Sequence, residues 1–351
     1  MNRSDSQPPG SSEPGTGAPA SPNSGPARRD IIVIGASAGG VSALLTLMTT
    51  LPRVPAAVLI VLHIGPHRSV LPALLQNRSS NRAIHAEDGQ PIEPGTLYIA
   101  PPDHHMLVEE GFIRLTRGPK EHHTRPAVDP LFRTAALAYG PRVIGVVLTG
   151  RLDDGTAGLQ AIKDCGGVAV VQDPAEAEHR SMPLSALKSV PVDRCVPLTS
   201  MAETLLQLVD EPIVAAEPPP AVRKRLALEV AVTGNTENPM ENLDAIGKPS
   251  HVTCPDCSGV LWEISDTRPP RYRCHTGHAF SLRSLCATQD SASEDALWAA
   301  IRALQAREVL QRQLAEQNRL AGDVESTTQN EAKADEAARL ARQLHILLEQ
   351  P

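Results

Sequence analysis

Residues 30–40 read DIIVIGASAGG, an apolar run closed by a cluster of small residues. Ile31–Ile34 predict a buried strand, because parallel strands covered on both faces are continuously apolar. The small residues of Gly35–Gly40 allow a tight turn from this strand into the helical stretch that follows. The start of such a helix presents unpaired N–H groups and a positive dipole end, which suit an oxyanion. The stretch therefore predicts an α/β fold with a reactive turn at one strand end.

The alternation of apolar runs and amphipathic stretches continues to about residue 210. Further strands are predicted at 57–62, 97–100, 143–148 and 168–171, a hairpin at 106–116, and helices at 70–76, 130–138, 155–163 and 201–209. Strands that alternate with helices predict an α/β protein with a three-layer α/β/α, doubly wound, mostly parallel sheet. We expect this domain to cover residues 29–210.

The segments outside this domain differ in composition. Residues 1–28 are rich in Pro, Gly and Ser and are predicted to be disordered. Residues 211–250 are Pro-rich and charged, which predicts mainly a linker with a short element around 226–232. Residues 293–351 carry two leucine stripes interrupted at 321–331 and predict a helical hairpin or coiled-coil tail. Self-association through this tail and a merely solvated tail are equally compatible with the pattern.

Composition narrows the class of protein. The net charge is −7 and the pI about 6.0, which argues against a nucleic-acid or anionic-membrane binder. No run of about 18 apolar residues occurs, so a membrane-embedded chain is not expected. Residues 1–30 lack the apolar stretch of a secretory signal, so we expect no such signal. Three of the six cysteines lie in a metal-like spacing rather than a disulfide framework. We expect a cytoplasmic enzyme.

Three groups suited to nucleophilic catalysis follow predicted strands. Ser37 lies in the first turn, His63 ends the second strand, and Asp154 follows the strand ending at residue 148. A serine is a poor nucleophile until a histidine accepts its proton, and a carboxylate orients that histidine. The turn lacks the second glycine of a dinucleotide fingerprint and the lysine of a P-loop. A helix-capping role for the serine, and for Asp153 or Asp154, stays open.

Six sequence blocks carry a family resemblance. They are GASAGG (35–40), VLHI (61–64), IAPPDHHM (99–106), RPAVDPLF (125–132), VVLTG with DDGTAG (146–158) and SMP (181–183). In order and spacing they resemble the chemotaxis receptor methylesterases of the CheB family over residues 30–210. The resemblance implies hydrolysis of glutamate methyl esters, and also glutamine deamidation, on a methylated chemoreceptor or another methylated signalling protein. It implies that Ser37 is the nucleophile, His63 the base and Asp154 the orienting acid, with no cofactor for catalysis.

The resemblance extends to the surroundings of the nucleophile. It implies that the backbone amides near Ala38 and Arg151 form the oxyanion region and that Arg125 positions a substrate carboxylate or carbonyl. Ala38 stands where many members have threonine, and Arg151 where many have methionine. The receiver domain that usually precedes the catalytic domain is not expected here, because residues 1–28 are too short for one.

Several other polar residues have no assigned role in catalysis. His67 is also present, and the pairs His104-His105 and His122-His123 could suggest a metal, but we expect loop or substrate-rim positions for each pair. Cys165 and Cys195 are expected to be small buried residues.

A second candidate site lies in residues 251–288, which are predicted to form a zinc-ribbon-like module. Its predicted ligands are Cys254, Cys257, Cys274 and His278. A C-x2-C pair closes a tight turn around zinc, and four such ligands leave no open position, which favours a structural role. His275 or Cys286 remains an alternative fourth ligand. The segment resembles ribbon-like extensions behind some stand-alone methylesterase domains.

Two other functions remain in competition with the methylesterase. One is a serine hydrolase for a different ester or amide, because positions 38 and 151 depart from the family pattern. The other is a catalytically silent signalling adaptor. The complete set of Ser37, His63 and Asp154 favours an enzyme.

Overall fold

The structure is a computed structural model that describes residues 28–65, 69–213, 218–233, 239–265, 267 and 269–349. The predicted disorder of residues 1–28 falls outside the described residues except at Arg28.

The first part of the chain forms a seven-stranded parallel sheet and a separate hairpin. The strands are β1 (Ile31–Ala36), β2 (Ala57–Leu62), β3 (Arg82–His85), β4 (Thr96–Ile99), β5 (His105–Glu109), β6 (Phe112–Thr116), β7 (Val143–Val147), β8 (Val168–Gln172) and β9 (Arg194–Val196). The helices are α1 (Gly40–Thr50), α2 (Leu71–Gln76), α3 (Val128–Tyr139), α4 (Thr156–Asp164), α5 (Ser181–Ser189) and α6 (Leu198–Asp210). The sheet order is β3-β4-β2-β1-β7-β8-β9, and β5 pairs with β6 as the antiparallel hairpin.

Alternate residues of the central strand face two different helical layers. Ile31 and Val33 of β1 pack in the core shared with α3, α4 and α5. Ile32 and Ile34 pack in the core shared with α1, α2 and α6. Every residue of β1 is buried, which explains its continuous apolar run. The predicted three-layer α/β/α fold is confirmed.

The strand order creates a crevice at one sheet edge. β1 pairs with β2 on one side and with β7 on the other, so the chain winds in opposite directions from this point. Open α/β sheets bind ligands beyond the carboxyl ends of the strands at such a switch point. The fold thus brings the turns after β1, β2 and β7 to one place.

The remainder of the chain is also ordered into helices and strands. It forms α7 (Pro220–Thr233), α8 (Pro239–Ile246), β10 (Gly247–Thr253), β11 (Val260–Ile264), β12 (Arg271–Cys274), β13 (Ala279–Ser281), α9 (Leu282–Leu320) and α10 (Val324–Glu349). β10 to β13 form a four-stranded antiparallel sheet, and α9 packs along α10. We call residues 247–349 the C-terminal unit. No helix among the described residues has the length and apolarity needed to cross a membrane.

The short element expected around 226–232 lies within α7, but the linker predicted for the rest of 211–250 is wrong for most of its described residues. α7, α8 and the start of β10 occupy them, and Leu226 of α7 packs in the core of the α/β domain. α7 also buries Glu229 and Thr233. Its inner face therefore has no continuous apolar stripe from which the sequence could predict a helix. The helical tail likewise begins at residue 282 rather than 293, and its two helices are separated only by residues 321–323.

A buried ion-pair network joins the α/β domain to the C-terminal unit. Arg133 of α3 contacts Glu121 at 2.6 Å, and Arg273 of β12 contacts the same carboxylate at 2.9 Å. Arg271 of β12 contacts Glu229 of α7 at 2.5 Å. Except for Arg271, all of these side chains are almost completely buried. Losing one partner of such a network leaves an uncompensated buried charge, so the network fixes how the parts pack.

The network predicts a stability loss in acid. Burial would raise the pKa of Glu229, but Arg271, Arg133 and Arg273 outweigh it and lower the pKa to about 2. A lowered folded-state pKa means that the stabilisation is complete above the ordinary value near 4.5 and is lost as the pH falls toward 2. We expect this one group to change the free energy of unfolding by about 3 kcal/mol over that window.

Urea unfolding followed by tryptophan fluorescence, to which buried Trp262 and exposed Trp298 contribute, measures this dependence. The Glu229→Gln chain should be less stable at pH 7 and show a flatter dependence between pH 4.5 and 2. Glu241→Gln, at an exposed position on α8, is the matched control and should keep the wild-type slope. An unchanged slope in Glu229→Gln would contradict the network's role.

Candidate active site

Three side chains meet at the crevice beside β1. Ser37 directly follows β1, His63 directly follows β2, and Asp154 lies in the turn between β7 and α4. Oγ of Ser37 is 3.1 Å from Nδ1 of His63, and Nε2 of His63 is 2.7 Å from Oδ2 of Asp154. An imidazole with its proton on Nε2 donates to Asp154 and leaves Nδ1 as acceptor for the serine hydroxyl. This is the arrangement that a histidine base requires.

Asp154 is held by backbone amides at the starts of α3 and α4. Its Oδ2 accepts the N–H of Val128 at 2.7 Å, and its Oδ1 accepts those of Asp129 at 3.0 Å and Gly155 at 2.8 Å. Burial would raise the pKa of Asp154, but the charge of His122 and the hydrogen bond from His63 hold this pKa well below its usual range. Asp154 is therefore an ionised, fixed acceptor for His63.

Two glycines allow the close packing around Ser37. Gly39 has a φ of 75°, and a Cβ there would lie 2.9 Å from the Glu178 carboxylate. A Cβ on Gly150 would lie 2.0 Å from Sδ of Met182 and 2.9 Å from Cβ of Ser37. The loop after β7 therefore lies directly against the nucleophile turn, and a side chain at position 150 would displace it.

Two backbone amides near the serine are candidates for an oxyanion hole. Within the described residues, no hydrogen-bond acceptor is found for the N–H of Ala38 or of Arg151, whereas the N–H of Ser37 donates to the carbonyl of Thr149 at 3.0 Å. Ala38 is adjacent to Ser37, and Arg151 follows Gly150 in the loop packed against it. The oxyanion role of these two amides stays a prediction.

Ser37 and His63 open onto a surface cleft of about 460 Å³ beside the first turn of α1. A second cleft of about 680 Å³ lies on the side of the 150–152 loop and Glu178. Its walls include Arg151, Arg180 and Arg283, the last of which belongs to α9. This second cleft therefore carries three arginines beside Glu178 and is formed partly by the C-terminal unit.

Comparisons with known proteins agree on this part of the chain. The model of the CheB methylesterase family matches residues 32–205. The protein of Leptospira interrogans (strain Fiocruz L1-130) named putative protein-glutamate methylesterase/protein-glutamine glutaminase is 39% identical over 182 residues. These residues cover 51% of this chain and 94% of that protein. The chain belongs to the CheB methylesterase family.

Other CheB relatives support the assignment. The protein-glutamate methylesterase/protein-glutamine glutaminase 2 of Methanosarcina mazei is 39% identical over 191 residues, which cover 52% of each chain. The crystal structure of the Thermotoga maritima CheB methylesterase catalytic domain matches with 34% identity and a TM-score of 0.50, covering 51% of this chain and 98% of that one. The family match ends at residue 205, so it does not include the C-terminal unit.

Arg125, the expected substrate-positioning residue in this CheB domain, has partners within the chain. Its guanidinium contacts Oδ1 of Asp103 through Nε at 2.9 Å and Nη2 at 2.6 Å. Nη1 donates to the carbonyls of Arg117 and Gly118 at 2.9 and 2.7 Å. Arg125 thus stabilises the loop around Asp103 through these contacts. That Arg125 positions a substrate carboxylate or carbonyl stays a prediction.

The expectation of loop or rim positions is wrong for His105, which begins β5, whereas His122 lies in a loop as expected but is buried there. His105 is buried, donates to the carbonyl of Pro119 and accepts the N–H of Ala127, and burial lowers its pKa to about 4. His122 is buried beside Asp154, a contact that the sequence analysis missed because nothing in a His-His pair indicates a distant carboxylate. Cys195, expected to be buried, is exposed on the edge strand β9, while Cys165 is buried.

The four predicted metal ligands converge at one end of the antiparallel sheet. Their donor atoms, from Cys254, Cys257, Cys274 and His278, all lie within 4.8 Å of one another. Sγ of Cys257 is 3.6 Å from Sγ of Cys274, and Nδ1 of His278 is 3.7 Å from Sγ of Cys254 and 3.5 Å from Sγ of Cys274. Zinc bonds of about 2.3 Å to sulfur and 2.0 Å to nitrogen in a tetrahedron require separations of about 3.8 and 3.5 Å. The donor set therefore fits zinc, and the group includes neither His275 nor Cys286.

Proposed function

We propose that this chain is a protein-glutamate methylesterase with Ser37 as nucleophile, His63 as general base and Asp154 as the acid that orients it. The observation that carries the proposal is the continuous hydrogen-bonded set from Ser37 through His63 to Asp154 at the switch point of a CheB-family domain. Hydrolysis of a carboxylic ester needs no cofactor with such a set.

The first half of the reaction forms an ester with the enzyme. Nδ1 of His63 takes the proton of Ser37 as Oγ attacks the carbonyl carbon of the substrate ester. The negative charge on the carbonyl oxygen is stabilised by the N–H groups of Ala38 and Arg151, which have no acceptor among the described residues. Collapse of the tetrahedral intermediate breaks the bond to the methoxy oxygen, and His63 returns the proton, so that methanol leaves.

The second half regenerates the serine. His63 takes a proton from a water molecule, which attacks the acyl-enzyme, and the proton passes to Oγ of Ser37 as glutamate is released. With a glutamine side chain the same steps release ammonia in place of methanol, which gives glutaminase activity.

The substrate that we propose is a methylated chemoreceptor or a related methylated signalling protein. The basic cleft formed by Arg151, Arg180 and Arg283 supports a substrate segment that carries further carboxylates near the ester. We further propose that Cys254, Cys257, Cys274 and His278 hold a structural zinc ion that stabilises the C-terminal unit. Four protein ligands leave no position for a reacting group, so the metal would take no part in catalysis.

Methanol release from methylated chemoreceptor membranes tests the proposed function. We expect the full chain to release methanol at a rate proportional to enzyme concentration. Methanol release should stop after the chain has reacted with a fluorophosphonate probe. A chain that the probe labels at Ser37 but that releases no methanol would act on another ester or amide. A chain that is neither labelled nor active would be the silent adaptor.

A further inference from the structure

The carboxylate of Asp154 has a second imidazole neighbour that the mechanism does not use. Nε2 of His122 lies 3.6 Å from Oδ1 of Asp154 and 2.8 Å from Oδ2 of Asp129. The three side chains are at least 95% buried. Asp129 also accepts the N–H of Gly158 at 2.6 Å, so the cluster is fixed between α3 and α4.

The other nitrogen of His122 contacts the C-terminal unit. Nδ1 is 3.0 Å from Oγ of Ser284, in the first turn of α9. This hydroxyl donates to the carbonyl of Ser281 at 3.2 Å and accepts the N–H of Ser281 at 2.9 Å. When this hydroxyl donates to Ser281, its remaining lone pair accepts an N–H from Nδ1 of His122, while Nε2 donates to Asp129. With both hydrogen bonds made in this sense, the ring carries a proton on both nitrogens and is a cation.

Charge supports the same protonation state. Burial would lower the pKa of His122, but the charges of Asp154, Asp129 and Asp153, with the hydrogen bond to Asp129, raise the pKa to about 9. Asp153 accepts a hydrogen bond from the hydroxyl of Ser281 at 2.7 Å. His63 contacts Asp154 from the side of Ser37. One buried cation therefore lies among three carboxyl groups.

We propose that His122 and Ser284 are positioning residues, and that the first turn of α9 completes the active site by holding His122 as the cation that fixes Asp154. The proposal rests on the proposed function in one respect, the role of Asp154 as the partner of His63. In this arrangement α9, a helix outside the matched CheB domain, sets the hydrogen bonds and the charge around the orienting acid Asp154. The backbone reinforces this junction, because the N–H of His122 donates to the carbonyl of Ala279 in β13 at 2.7 Å.

NMR of the full chain labelled with 15N-histidine tests the state of His122 without reference to activity. We expect two protonated nitrogens on this ring at pH 8, identified by loss of the signals in His122→Gln. In Ser284→Ala the Nδ1 signal should shift, while in Ser291→Ala, an exposed serine of the same helix, it should not. A neutral ring at pH 8 would overturn the proposal.

The rate of Ser37 labelling by a fluorophosphonate probe, measured from pH 5 to 9, tests the positioning. His122→Gln keeps a donor for Asp129 but removes the buried positive charge beside Asp154, which opposes the arrival of another proton at the triad. We expect at least tenfold slower labelling at pH 7 and an acidic limb displaced upward by about one pH unit. Ser284→Ala should slow labelling about fivefold with a smaller displacement. If His122→Gln does not fold, His122→Asn and Ser284→Ala carry the test.

Two control variants and three further outcomes separate this proposal from its alternatives. Ser291→Ala and His345→Asn, both at exposed positions of the α9–α10 hairpin, should keep the wild-type pH profile. Slower labelling in His122→Gln and Ser284→Ala, with wild-type pH midpoints and only lowered melting temperatures, would indicate a structural role and overturn the proposal. A probe-reactive Ser37 without methanol release would refute the proposed substrate but leave the positioning test intact. With an unreactive Ser37, the NMR result decides.

Discussion

The Ser37→Ala chain should lose methanol release by about 10⁴-fold to 10⁶-fold, the loss seen when a serine nucleophile is removed from a triad. The physical reason is that no other described hydroxyl lies within hydrogen-bond distance of Nδ1 of His63. The change removes one oxygen from a side chain at a partly exposed position, so the melting temperature should stay near that of the wild type. Initial rates with methylated receptor membranes measure the effect, and Ser200→Ala on α6 is the matched control.

The triad also predicts how variants combine. Asp154→Asn alone should lower kcat by about 10³-fold to 10⁴-fold, because the amide no longer holds His63 with its proton on Nε2. Adding Asp154→Asn to Ser37→Ala should lower the residual rate by little, since the three groups act as one unit. Multiplicative losses in the double variant would contradict the assignment of Asp154 as the partner of His63.

The second large effect is expected at the metal site. Purified without chelator, the chain should hold about one zinc ion by elemental analysis, and Cys274→Ser should hold none. Because a structural zinc contributes of the order of 10 kcal/mol, we expect β10 to β13 to lose protection from hydrogen exchange in this variant. Cys286→Ser, at an exposed position of α9 outside the ligand group, is the matched control.

The fourth ligand can be tested in the same assay. His278→Ala should lose zinc and exchange protection, whereas His275→Ala should retain both, because only His278 lies with the three thiols. Labelling of Ser37 should also slow when zinc is removed from the wild type. The reason is that Ala279, next to His278, accepts the N–H of His122. Full zinc occupancy in Cys274→Ser would contradict the proposed ligand set.

Much of the α/β domain was predictable because its signals are local. The predicted strands at 57–62, 143–148 and 168–171 lie within one residue of β2, β7 and β8. Buried parallel strands can be predicted from continuous apolar runs, because each strand packs against a helical layer on both faces of the sheet. The short edge strands β3 and β9 were missed because they are less buried and carry polar residues.

The candidate triad was also predictable, for a topological reason. Ser37, His63 and Asp154 each follow a strand end, and carboxyl ends of parallel strands meet at one edge whatever the strand order. The strand order β2-β1-β7 places the three residues on neighbouring strands, and this order became known only from the structure.

The sequence by itself determined the layered α/β architecture, the strand-end positions of the candidate triad and the spacing of the four candidate metal ligands. Each of these follows from periodicity or from residues close together in the chain. Only the tertiary structure decided that α7 is a helix with a charged inner face, and that Ser284 contacts His122 across 162 residues. Buried polar groups depend on partners from distant segments, and a pattern that equates burial with apolar residues cannot reveal them.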